Sequence, residues 1–184
     1  MQPEITPEFT PELTTERLRL RAWGIDDLDF IVAMDMDPDV GRYLYPHGRP
    51  TIQERTVVTR QRLTSNWPKQ GGMWFVEWEE SGEGLGWCGL FPLDRTDLIE
   101  IGYRFITAAW GQGVATEAAT QVLDYGFQQL NLDAIVAVTH AENAGSQNVL
   151  TKIGLQAHGL KFHYGLNLSY FSLGRESYLD AQLS

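Results

Sequence analysis

Residues 100–118 read EIGYRFITAAWGQGVATEA. The run Leu98 to Ile106 has strand character and feeds directly into Gly111-Gln112-Gly113, after which a long helical pattern begins. In that pattern Ala115, Ala118, Ala119, Val122, Leu123, Gly126, Phe127 and Leu130 share one face. The first four N–H groups of a helix have no intrahelical acceptor, and the macrodipole leaves partial positive charge there. Glycines let backbone approach a ligand without an intervening Cβ. Together these features make a site for a phosphate or pyrophosphate. The same residues also suit a plain left-handed turn between strand and helix, and the stretch alone leaves both open.

Upstream, RLRLRAW alternates, with Leu18, Leu20 and Ala22 on one face and Arg17, Arg19 and Arg21 on the other, which predicts a half-buried strand. Leu28, Ile31, Val32 and Met36 stand at helical spacing within 26–36, and a second helix is expected from Thr51, as its cap, through Leu63. Met73–Trp78 and Leu85–Pro92 switch to a period of two and, with Leu98–Ile106, predict an antiparallel meander. Downstream, AIVAVT (134–139) is a short continuous apolar run, as in a strand covered on both sides. A helix is expected over Ala144–Ile153, stopped by Gly154, then two strands over Leu155–Tyr164 and Leu168–Ser177. The pattern is one layered α/β (α+β) domain over 16–184. Residues 1–15, with Pro-Glu at 3–4, 7–8 and 11–12, read as an extended arm.

The chain has 184 residues, 43% of them hydrophobic, enough to bury a core. Its net charge of −10 argues against nucleic acid as a partner and is compatible with a cationic acceptor such as an amine. No apolar run reaches the length of a membrane span and no secretory signal is visible, so a cytoplasmic protein without a membrane partner is expected. Cys88 is the single cysteine and excludes an internal disulfide; it reads as a core thiol. His158 and His163 are five apart on an expected strand, hence on opposite faces, and no metal site is expected. No Lys follows the glycines as in a phosphate loop for nucleoside triphosphates, and the loop closes a meander instead of opening a dinucleotide βαβ unit.

WGQGVATEA (110–118), followed thirty residues on by ENAGSQNVLTKIGL (142–155), resembles the GNAT superfamily of acetyl-CoA-dependent N-acetyltransferases, with most likeness to the branch of ribosomal-protein N-terminal acetyltransferases. The resemblance runs from Thr15 to the last strand. It implies a mixed, mostly antiparallel sheet with helices on both faces, and acetyl-CoA as co-substrate. By this likeness the amides of Gln112, Gly113, Val114, Ala115 and Thr116 hold the CoA pyrophosphate. Trp110 stands where the superfamily has Arg or Gln. Main-chain groups of Phe105, Ile106 and Thr107 pair with the pantetheine arm, which requires the two central strands to splay. Asn143 matches an Asn that touches CoA, and it also suits a helix N-cap.

The reaction so implied is attack of a primary amine on the thioester, the acceptor being a protein N-terminal α-amine or a small amine. Many relatives carry a tyrosine on the second-motif helix as the acid for the departing thiolate. Leu150 stands there, and the resemblance makes Ser146 the candidate acid. Glu100 is the candidate base, acting through water; an ordinary cross-strand pair is its other reading. Glu117 reads as a dipole-complementing residue of the first helical turn. The acceptor pocket is expected from the loop between the first two helices (Tyr43, Tyr45, Pro46, His47), from His140, and from the last hairpin (His163, Tyr164, Asn167). Monomer and homodimer stay open, as does a binding module that senses acyl-CoA without turnover.

Overall fold

The computed structural model describes residues 10–45, 48–65 and 71–183. Among the described residues eight strands form one sheet: β1 (Leu13–Thr14), β2 (Leu18–Ala22), β3 (Gly72–Trp78), β4 (Gly84–Pro92), β5 (Ile99–Phe105), β6 (Ala134–Thr139), β7 (Gln156–His163) and β8 (Leu166–Gly174). Their spatial order is β1-β2-β3-β4-β5-β6-β8-β7. Every pairing is antiparallel except β5 with β6. The helices are α1 (Leu28–Met36), α2 (Ile52–Leu63), α3 (Val114–Gln128), α4 (Ala144–Lys152) and α5 (Arg175–Gln182). This is the mixed, mostly antiparallel sheet that the sequence leads one to expect.

The strand period divides the interior into two main cores, with a small third cluster of Leu93, Val136 and Tyr170. On β3, Trp74 and Val76 enter the core beneath α3 with Leu18, Leu20 and Leu90, while Met73 and Phe75 join Ile31 and Leu63 beneath α1 and α2. A strand buried on both faces loses its polar alternation, and MWFV is apolar throughout. The arginine face of β2 is paired: Arg19 and Arg21 reach the buried Glu77, and Arg21 also holds the buried Asp27. Thr51 caps α2 by accepting from the Glu54 amide, and Glu54 reciprocates, a capping box.

Asp35, fully buried in α1, receives Arg55 of α2 and Arg104 of β5. It ties both helices to the central strand. Asp35→Asn leaves two guanidiniums without their carboxylate and is expected to cost about 3–5 kcal/mol. Urea unfolding checks this, and an unchanged midpoint would contradict it.

Two expectations are corrected here. The final strand stops at Gly174, and 175–182 form α5, which anchors through Tyr178: its ring stacks on Phe127 at 4.6 Å and its hydroxyl donates to Asp124. His158 and His163 are not on opposite faces. A register shift between Ala157 and Leu160 resets the strand parity, so both rings lie near Tyr170, at 6.3 and 6.0 Å. Segments 1–9, Pro46 and His47 lie outside the described residues, whereas the end of the expected arm joins the sheet as β1. Cys88 is buried, and desolvation pushes its thiol up.

Candidate active site

β5 pairs with β4 along its whole length but with β6 at one position, Glu100 opposite Val136. Beyond Glu100 the two parallel strands part, and the β6-facing edge of residues 101–105 carries no ladder. Backbone edges are obligatory hydrogen-bonding groups, so a parted pair is a place for an extended ligand. A cavity of about 540 Å³ opens there, walled by residues 100–104 on one side and 137–140 on the other. Because the cavity passes between the strands, side chains of both parities on β5 reach it.

At the far end of β5 the chain turns through Gly111 (φ 73°) and Gly113 (φ 79°), the latter capping α3. A non-glycine residue is strained at such angles. The amides of residues 112–116 find no backbone acceptor among the described residues. Those of 113–116 are the four unsatisfied donors of a helix start, Gln112 adds a loop amide, and the set suits a diphosphate. The loop is held from the residue that precedes β2: Arg17 donates to the Gln112 carbonyl at 3.0 Å and grips Glu117 through Nε and Nη2 at 2.8 and 2.6 Å. Glu117 is thus structural, as expected, with Thr15 adding a 2.6 Å bond.

The half-exposed Trp110 donates its indole N–H to the Phe105 carbonyl at 3.0 Å, closing the turn onto the strand end. The Ile106 amide donates to Leu85 and the Thr107 carbonyl accepts from the Trp110 amide. Much of the main chain at 105–107 is therefore engaged, and the unpaired edge nearest the cavity is 101–104.

Glu100 is 6% exposed. Its carboxylate accepts from the Tyr164 hydroxyl at 2.7 Å, and the Val138 amide adds a bond. Burial outweighs both bonds and the nearby Arg62 charge, and its carboxyl is pushed up to about 7. Tyr164 is itself clasped by Asp94: its amide donates to the Asp94 carboxylate and its oxygen accepts from the Asp94 amide, each at 3.0 Å.

Across the cavity, Asn143 caps α4 by accepting from the Ser146 amide at 3.1 Å. Tyr103 donates to the Ser146 carbonyl at 3.0 Å, and the two hydroxyls lie 3.1 Å apart. Burial raises the Tyr103 phenol above its usual value, which keeps it protonated. His140 stacks on Tyr43 at 5.2 Å, and the Tyr43 hydroxyl donates to the Glu142 carbonyl.

The cavity lining thus brings together Glu100, Ser146, Asn143, Tyr43, His140 and Tyr164. Tyr45 is not in it. Its ring lies near Gly41 and its hydroxyl is buried without a partner among the described residues. Sequence reasoning missed Tyr103, because strand parity puts it opposite Glu100, and Arg62, because a basic residue in a last helical turn already has a reason to be there.

Comparison with known proteins identifies the family and the fold. The family model described as an acetyltransferase (GNAT) domain matches residues 17–156. An uncharacterized N-acetyltransferase, p20, of Bacillus licheniformis is 30% identical, the match covering 82% of this chain and 85% of that one. A crystallised acetyltransferase of Agrobacterium tumefaciens strain C58 superposes with TM-score 0.76 at 26% identity, over 89% of this chain and 94% of that one. The spermidine N-acetyltransferase of Vibrio cholerae, solved with CoA and spermine, shares the fold at TM-score 0.71 and 20% identity, over 90% and 99% of the two chains. The helix-opening glycine loop, the parted central strands and the match across three quarters of the sequence place this chain in the GNAT acetyltransferase family, as an acetyl-CoA-dependent acyltransferase.

Proposed function

We propose that the protein moves the acetyl group of acetyl-CoA to a primary amine by direct attack in a ternary complex. The observation that carries this is the buried Glu100 at the point where β5 and β6 part, one strand-length from the free amides that open α3. Amides 112–116 hold the pyrophosphate, and the unpaired edge of β5 aligns the pantetheine arm. Bound acetyl-CoA supplies an activated acyl carbon.

An α-amine has a pKa of about 7.7–8.0 and a lysine-type amine about 10.4, so each arrives largely or partly protonated. Glu100, with its carboxyl near 7, takes the proton that the amine sheds, directly or through one water. The Ser146 hydroxyl gives its proton to the departing sulfur and regains one from solvent as Glu100 releases the amine's proton to solvent, and Tyr103 holds that hydroxyl in place. Orientation supplies most of the rate. The acceptor is a protein N-terminal α-amine, as the likeness to the ribosomal-protein branch implies, or a small amine.

Thiol release with acetyl-CoA and a panel of peptides and small amines tests this, with mass spectrometry identifying the acetylated product. Ser146→Ala is expected to lower kcat about 10²-fold with little change in CoA affinity. Tyr103→Phe lowers kcat by less, because Ser146 keeps its hydroxyl. An unaltered kcat in Ser146→Ala would remove Ser146 from the mechanism. CoA binding with no turnover across the panel would favour a sensor.

A further inference from the structure

Arg62, in the last turn of α2, lines the cavity without an anion of its own. Arg55 and Arg104 share Asp35, Arg19 and Arg21 share Glu77, and Arg17 has Glu117. Arg62 makes no ion pair or hydrogen bond with a carboxylate among the described residues, although the charges of Asp35 and Glu100 reach it at longer range. Its guanidinium lies 5.5 Å from the Trp23 ring and 5.3 Å from that of Trp87, and Arg104 lies 5.3 Å from the same Trp87. Burial, with Arg104 and Arg55 nearby, brings Arg62 down to about 10, so it stays charged at neutral pH. Three guanidiniums thus cluster around one carboxylate, Asp35.

Glu100 is the one acid among the described residues of the cavity lining, and the amine needs it. A polyamine entering this space would bring its second ammonium against Arg62 with no carboxylate to receive it. A like charge at that range is unfavourable, and a desolvated guanidinium with free donors favours a planar oxyanion. We infer that the acceptor amine carries a carboxylate on the same molecule, as an amino acid does, and that Arg62 binds that carboxylate while the amine faces Glu100. The inference rests on the acetyl-transfer reading above and narrows its substrate class.

The test measures kcat/KM by thiol release, referred to the free-amine fraction, for matched pairs: glycine, β-alanine, 4-aminobutyrate and phenylalanine, each beside its own carboxamide, with spermidine alongside. At least one carboxylate is expected to exceed its carboxamide by about 10-fold or more, the value of a charge-assisted bond. Arg62→Met, which keeps the stem against Trp23 and Trp87, should bring that ratio towards one by raising KM for the carboxylate. Arg62→Lys should keep part of it and guards against misfolding as the cause. Carboxamides or spermidine used as well as the carboxylates would overturn this inference and leave acetyl transfer standing, and so would a ratio that survives Arg62→Met. No thiol release from any acceptor would overturn the transfer reading, and this inference with it.

Discussion

Gly113→Asp is expected to weaken CoA binding by at least about 10³-fold, or about 4 kcal/mol. Gly113 sits at φ 79° as the cap of α3, beside amides that have no backbone acceptor among the described residues. An aspartate there adds a Cβ on the ligand side and a negative charge beside a diphosphate that carries its own. The Cβ would also stand 3.5 Å from the Arg17 guanidinium, so the new carboxylate can draw Arg17 from Glu117 and loosen the loop's tie to the residue before β2. Gly113→Ala separates the causes: it keeps the backbone strain, about 1–2 kcal/mol for a residue in this conformation, and adds no charge. Alanine should therefore cost about 10-fold in affinity and aspartate far more. Both variants should unfold cooperatively in a thermal scan. Calorimetric titration with CoA gives the affinities, and equal values for wild type and Gly113→Asp would contradict the loop assignment.

Glu100→Gln is the second large effect. If Glu100 is the base, kcat/KM should fall about 10²-fold at pH 8. The wild-type profile should rise through about pH 7 as Glu100 ionises, and that limb should vanish in the variant, leaving the acceptor amine's own limb. A profile with the same limb in both proteins would dismiss Glu100 as base. The same substitution has the opposite effect on stability. The folded carboxyl is raised from 4.5 to about 7, so between those values the native state holds a proton that the unfolded chain has released. Stability is therefore fully present below about pH 4.5 and declines as pH rises through 7, by about 3 kcal/mol. Glutamine avoids that loss and still accepts from Tyr164 and Val138. The less active variant should be the more stable one above pH 7, which denaturant unfolding at pH 5 and pH 8 would show.

Periodicity carried the strand–loop–helix centre and both main cores, because Leu18, Leu20, Trp74 and Val76 had to point one way while Met73 and Phe75 pointed the other. Periodicity fails where parity is reset. The bulge on β7 gathers His158 and His163 at Tyr170, and no residue before Gly159 announces it. Gly174 closes β8 and opens α5 without a side-chain cap, so the strand pattern reads on into Ser177. The local structure around the candidate site was legible where a motif or a helix cap fixed it, as at Gly113 and Asn143, which cap α3 and α4. It was less so on the loop after α1, where no period tells Tyr43, which lines the cavity, from Tyr45, which does not. Asp35 and its two arginines come from three distant segments, and local pattern cannot pair them. Charge misled in another way. The chain is acidic overall and favours cations at its surface, while its cavity holds a guanidinium that makes no ion pair among the described residues.

The claim beneath all of this is that main-chain N–H groups opening α3 grip a diphosphate while its thioester arm lies along the unpaired edge of β5. Amide hydrogen exchange with and without saturating CoA tests it most directly. Protection should appear at 111–117 and along 101–104, with little change at α5, which packs against the opposite end of α3. Protection elsewhere, with those two segments exchanging as in the free protein, would contradict it.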